Sequence, residues 1–250
     1  MGELLRTEGL KKAFGEIHAV DDVDLSVQEG IFTSIIGPNG AGKTTLVGLL
    51  TGRLSPDGGR IFFQGEEITK LTTYKRVRKG ISTSFQIINI FPALTVFQNI
   101  EIPVLARLGR CSSLFGRIED LDDVKEEVER VLKDVELLDK RSLPARVLSH
   151  GHQRLLEIGL ALASEPKLLF LDEPTAGLNV QERLHLIEHV KRLSTEKQTT
   201  FVIVEHDMDL VFSLSDRIVV MHRGRIFAEG NPEEIKGHPG VREVYLGEEL

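Results

Sequence analysis

Nine consecutive residues, Gly37, Pro38, Asn39, Gly40, Ala41, Gly42, Lys43, Thr44 and Thr45, fit the P-loop pattern G-x-x-x-x-G-K-[ST]. They constrain the fold more than any other stretch of the chain. Gly37, Gly40 and Gly42 carry no Cβ, so successive backbone N–H groups can turn inward and form a concave nest for an anion. Lys43 adds a charge suited to the β- and γ-phosphates of a nucleotide, and the Thr44 hydroxyl suits Mg²⁺. Residues 31–36 read as a buried strand feeding the loop, and Leu46, Val47, Leu49 and Leu50 then open a helix whose N-terminus favours the same anion. A glycine turn before an ordinary helix requires no such order. ATP or GTP is the ligand to expect.

Composition sets the outer limits. A chain of 250 residues that is 41% hydrophobic and 28% charged suits one large or two small globular domains with a buried core. No apolar run reaches the 18 or more residues of a membrane span, and the first residues lack the apolar stretch of a signal peptide, so a cytoplasmic location is expected. Cys111 is the single cysteine, which excludes an internal disulfide and a thiolate metal cluster. The net charge of -7 disfavours broad nucleic-acid binding, which needs Lys and Arg against phosphates. Protein partners are expected instead.

Along the chain the periodicity changes. Val23, Leu25 and Val27 alternate with Asp24 and Ser26, and residues 28–30 supply a turn, so a strand is expected to lead by a hairpin into residues 31–36. Residues 55–59 form a turn before the strand-like 60–63. Val124, Val128, Val131, Val135 and Leu138 step at helical spacing, and the charged residues 126–130 read as a solvated helix face. Residues 167–171 and 200–204 are short apolar runs separated by a helical stretch at 180–193, the pattern of buried parallel strands.

The first of those runs ends in Asp172 and Glu173. An acid after such a strand holds Mg²⁺ in P-loop NTPases, directly or through water, which assigns Asp172 to the metal. Glu173, one residue further out, is placed to take a proton from water attacking the γ-phosphate. A charged strand terminus at the surface is the plain alternative, and the P-loop upstream decides against it.

Between these motifs lie Leu148, Ser149, His150, Gly151, His152, Gln153 and Arg154, and with them the chain resembles the ATP-binding cassette (ABC) ATPases of membrane transporters over residues 4–246. The resemblance implies ATP and Mg²⁺ as cofactors and an α/β P-loop NTPase core. An N-terminal antiparallel β region and an inserted helical subdomain go with that core. The expected division is 1–86 with 164–230 for the core, 87–163 for the helical subdomain and 231–250 for a C-terminal tail. Phe14 stands where the family stacks an aromatic on adenine, and Gln86 matches the Q-loop glutamine, which meets the metal and the membrane subunit. Ser149 and Gly151 match the signature, 176–179 the D-loop, and His206 the switch histidine at the γ-phosphate. A head-to-tail dimer follows, in which each ATP lies between one P-loop and the other chain's signature.

Three positions depart from the common pattern: His150 and His152 stand where glycine and glutamine are frequent, and Asn179 where aspartate is. The two histidines bring titratable groups to the signature, and Asn179 keeps hydrogen bonding without the charge. The finer resemblance is to the ATPases of branched-chain (hydrophobic) amino-acid uptake. It is carried by 176–179, 205–208, the extra stretch 106–123, and the C-terminal runs 228–234 and 245–248. It implies permease subunits in the membrane, a second ABC ATPase, identical or related, and indirectly an extracytoplasmic solute-binding protein, with this chain peripheral on the inner face of the membrane. Import of urea or amides, export of a lipid or polysaccharide, a soluble ATPase of translation or repair, and a regulatory module without turnover remain as alternatives.

Overall fold

The computed structural model describes residues 2–84, 90–110, 122–196 and 199–246, with the side chains of 244–246 left aside. Gln86 and Cys111 lie outside the described residues, as does most of the extra stretch at 106–123. The chain opens with β1 (Glu3–Phe14), β2 (Ile17–Val23), β3 (Ser26–Gln28) and β4 (Thr33–Ile36). Next come α1 (Lys43–Thr51), β5 (Gly58–Phe63), β6 (Glu66–Glu67), α2 (Thr73–Lys79) and β7 (Ile81–Thr83). Three helices follow, α3 (Val96–Arg107), α4 (Asp122–Asp134) and α5 (His150–Leu162). The remainder alternates: β8 (Leu168–Asp172), α6 (Val180–Glu196), β9 (Thr200–Val204), α7 (Met208–Leu214), β10 (Arg217–His222), β11 (Arg225–Gly230), α8 (Pro232–Gly237) and α9 (Pro239–Leu246).

Two sheets result. One is antiparallel, in the order β2-β1-β5-β6 with β3 also on β1; the other runs β11-β10-β4-β9-β8-β7, parallel except for β11 at its edge. The expected hairpin from 23–27 into 31–36 does not form, because β3 pairs with β1 while β4 lies between β10 and β9. The reason is burial on both faces. All four residues of β4 are buried, which only an interior position in a covered parallel sheet satisfies, whereas β3 buries Val27 alone. The runs at 168–172 and 200–204 do pair in parallel, Leu168 opposite Thr200 and Asp172 opposite Val204.

Alternation along β8 and β9 builds two cores. Leu169, Leu171, Phe201 and Ile203 face the helices, packing with Val96, Ile100, Val128, Leu156 and Leu186. Leu168, Phe170, Val202 and Val204 face α1, whose Leu46, Val47, Leu49 and Leu50 fill the space below the antiparallel sheet with Leu5, Leu10 and Ile61. Fully burying one such side chain contributes about 1.5–3 kcal/mol, so both ends of the P-loop segment are anchored by apolar contact. Arg76 adds a polar anchor. It is buried, and its guanidinium donates to the Leu49, Leu50, Thr69 and Leu71 carbonyls at 2.6–3.1 Å, closing the C-terminal end of α1. Burial pulls its pKa down to about 10.

In the helical layer α4 buries Val124, Val128, Val131 and Leu132, and the 3-10 turn Leu138–Lys140 continues from it. The charged run on α4 is not wholly solvated: Glu127 pairs with Arg107 and Arg130, which also holds Glu165 at 2.6 Å. α3 starts on a capping box between Thr95 and Gln98. Among the described residues no helix is long and apolar enough to cross a membrane.

Candidate functional site

The P-loop turns where only glycine fits. Gly42 has φ 100°, and a Cβ there would lie 2.0 Å from the Ala19 carbonyl oxygen; one on Gly37 would lie 2.3 Å from that of Met221. The turn therefore packs against β2 on one side and the end of β10 on the other. Asn39 and Gly40 are exposed at its tip and Ala41 is buried beneath. α1 starts without a side-chain cap and without an acidic residue in its first turn, which leaves its positive end for an external anion. Lys43 lies buried under the loop, its Nζ donating to the Gly37 carbonyl at 2.7 Å and to that of Pro38 at 3.2 Å. Burial lowers the Lys43 pKa, while the charges of Glu173 and Asp172 oppose the shift. Thr44 is exposed and Thr45 half-buried.

The C-terminal ends of β8 and β9 bring the acids to the same place. Asp172 is buried, and its Oδ1 has no hydrogen-bond partner among the described residues. Burial pushes its carboxyl up, against the pull of Arg53, whose Nη2 lies 4.0 Å from Oδ2. Glu173 follows in the left-handed region, φ 47°, and its Oε1 lies 2.7 Å from Nε2 of His206. A carboxylate and a histidine from two adjacent strand ends are thus in direct contact.

The signature residues sit apart from this group in their contacts. Ser149 caps α5, accepting from the His152 N–H at 3.3 Å, with its Oγ also 3.0 Å from His152 Nδ1. The Gly151 N–H donates to Glu182 Oε1 at 3.2 Å. Oε2 of the same carboxylate accepts from Asn179 Nδ2 at 2.9 Å, while Asn179 Oδ1 accepts from the Glu182 N–H at 3.0 Å. Asn179 is therefore the cap of α6, and an amide there donates where aspartate would repel Glu182. Phe14, the last residue of β1, is 50% exposed. It stands opposite Ile17, itself 71% exposed, with Lys12 Nζ 5.6 Å from its ring.

The family model described as "ABC transporter" matches residues 20–176, more than half of the chain. The chain belongs to the ABC transporter ATP-binding family. A second model, "Branched-chain amino acid ATP-binding cassette transporter", matches residues 225–250. The chain is 39% identical to the high-affinity branched-chain amino acid transport ATP-binding protein BraF of Pseudomonas aeruginosa, with 98% of each covered. It is 37% identical, again with 98% of each covered, to LivG of Escherichia coli K12. Among solved structures, a nucleotide-free ATP-binding cassette from an ABC transporter superposes with TM-score 0.84 at 35% identity, covering 99% of this chain and 100% of that one. A dimeric cassette in a post-hydrolysis state with ADP and Pi superposes at 0.77, with 25% identity and 92% and 99% covered.

As a member of the ABC family the chain binds nucleotide and hydrolyses ATP. Two residues of this cassette received no role from the sequence. Glu205 is buried beside His206, with Thr175 donating to it through both N–H and hydroxyl. Glu182 bridges the signature and the D-loop; its one sequence signal is the N-x-x-E spacing from Asn179 ahead of an apolar run, a capping-box pattern.

Proposed function

We propose that this ABC ATPase powers import of branched-chain amino acids as one half of a head-to-tail pair, with Mg²⁺ at its nucleotide site. The observation that carries the mechanism is the 2.7 Å contact between Glu173 and His206 at the strand ends facing Lys43. The substrate reading is supported by the match of residues 225–250 and by the branched-chain names of the relatives. We assign residues 1–86 and 164–230 to the nucleotide-binding core, 87–163 to the helical subdomain and 231–250 to the tail.

The loop amides of residues 37–45 and the start of α1 bind the phosphates, and Lys43 adds its charge at the β/γ pair. The donor set fits Mg²⁺: the orphaned buried Oδ1 of Asp172 and the Thr44 hydroxyl are hard oxygens, and water and phosphate complete the shell. When bound, that ion neutralises charge on the phosphate oxygens. Gln86 joins this set by resemblance alone. Glu173 takes the proton of the attacking water, and His206 holds Glu173 and meets the γ-phosphate. Phe14 offers an uncovered ring to adenine. Ser149 and Gly151 present the start of α5 to the nucleotide of the other chain, so neither chain completes a site alone. The permeases hold the cassettes at the inner face of the membrane, and a solute-binding protein delivers the amino acid outside.

The shared site is tested with mixed chains. Lys43→Ala and Ser149→Arg are each expected to be inactive alone. In an equal mixture half the dimers are mixed and carry one intact site of two, so at most about a quarter of the activity returns. No recovery, together with no cross-link between one chain's P-loop and the other's signature where ATP does dimerise the chain, overturns the model. Uptake of labelled leucine rather than urea by the reconstituted transporter tests the substrate.

A further inference from the structure

Glu205 is the last buried residue of the β9 run, 3% exposed, and the chemistry above does not use it. Its two oxygens are divided between two segments. Oε1 accepts from the Thr175 N–H at 3.1 Å and from the Thr175 hydroxyl at 2.6 Å; Oε2 accepts from the His206 N–H at 3.2 Å. Thr175 lies two residues after Glu173, and Glu173 reaches His206 at 2.7 Å. The links close a ring: Glu173 to the His206 ring, the His206 main chain to Glu205, Glu205 to Thr175, and Thr175 back through Pro174 to Glu173.

Two features of the ring are unfavourable unless the surrounding contacts hold them. Glu173 keeps a left-handed backbone, φ 47°, unfavourable for a residue with a Cβ and stable only where its surroundings enforce it. A carboxylate buried this deeply is itself unfavourable, and burial pushes its pKa up while the three hydrogen bonds pull it back. A strand end needs no such group for packing alone.

We infer that Glu205 is a positioning residue for ATP hydrolysis, holding the segment that carries Glu173 and the main chain of His206 in the register where base and histidine meet. This rests on the reading of Glu173 as the base. The two main-chain N–H groups can only donate and the Thr175 hydroxyl donates here, so the carboxylate accepts all three hydrogen bonds. Gln keeps one acceptor and turns an NH₂ group towards the donors on the other side.

The test compares purified full-length wild type, Glu205→Gln, Thr175→Val, Glu173→Gln and the Glu173→Gln/Glu205→Gln double variant by ATPase kinetics, ATP calorimetry and thermal melting. Glu205→Gln is expected to lower kcat about tenfold to a hundredfold, with KM and Kd for ATP within about twofold and the fold retained. Thr175→Val, which loses one of the three bonds, is expected to fall by less in the same direction. Glu173→Gln is expected to be nearly inactive, and adding Glu205→Gln to it to slow the residual rate no further, because Glu205 acts through Glu173. Wild-type kcat in both Glu205→Gln and Thr175→Val overturns the inference. So does a kcat loss matched by equal losses in ATP affinity and melting temperature, or one that multiplies fully in the double variant. Wild-type turnover in Glu173→Gln overturns instead the assignment of the base on which the inference rests.

Discussion

In the proposed dimer α1 and α5 both begin where a nucleotide phosphate would sit, yet they begin in opposite ways. α1 starts at Gly42 with no side-chain cap and no acid in its first turn, its loop held by backbone packing against β2 and β10. α5 starts at Ser149, whose side chain caps it, and its Gly151 amide is already taken by the Glu182 carboxylate. One helix start keeps its positive end for the ligand; the other has an anion of its own. In a dimer that exchanges signatures, the P-loop is then a standing site and the signature one whose donors must be released as the other chain arrives.

Three measurements sharpen or break that contrast. The largest effect is expected at the P-loop: Lys43→Ala removes a charged donor and weakens ATP binding by calorimetry about tenfold to a hundredfold, and ADP binding by less. Equal losses for both nucleotides place Lys43 away from the γ-phosphate. An intermediate effect is expected at the signature, where Glu182→Gln removes the local negative charge. ATP-driven dimerisation then tightens about twofold to fivefold while ATP binding by the monomer stays unchanged. Unaltered dimerisation in that variant makes Glu182 a cap and nothing more.

The smallest effect concerns pH. Burial, with Lys140 and His185 nearby, holds the His152 pKa below its ordinary 6.5. The unfolded chain therefore binds the proton more readily than the folded one, so stability is fully present above about 6.5 and falls as the pH drops below it. His152→Gln is expected to flatten this fall by about a degree in melting temperature between pH 7.5 and 5.5. His189, lowered chiefly by its own burial, contributes in the same direction. An identical slope in the variant leaves His152 outside the effect.

The parts of the site that follow local rules were legible in the sequence. The glycine spacing of 37–42 and the apolar runs before Asp172 and His206 are properties of contiguous residues, and they place strand ends and turns directly. The partner of β3 was not legible, because alternation specifies a half-buried strand but not its neighbour. Residues 31–36 read as a buried strand, but nothing local says that this burial, Thr33 and Ser34 included, seats β4 between β10 and β9 and away from β3. Glu205 escaped for a related reason: its role depends on Thr175, thirty positions earlier. Glu182 depends on Gly151 in the same way, across α5 and α6.

The guanidinium of Arg76 at the far end of α1 has an electrical consequence. A helix is a dipole with partial charges at its ends, and the negative pole of α1, at the Leu49 and Leu50 carbonyls, is neutralised by a buried cation. What remains for the other pole, at the P-loop, is a helix that behaves more like a positive charge than a dipole, with Lys43 added beside it. A multiply charged phosphate therefore meets a field that is not cancelled behind the helix. Lysine, with three donors at a single nitrogen, has no fork to span the four carbonyls that arginine ties together.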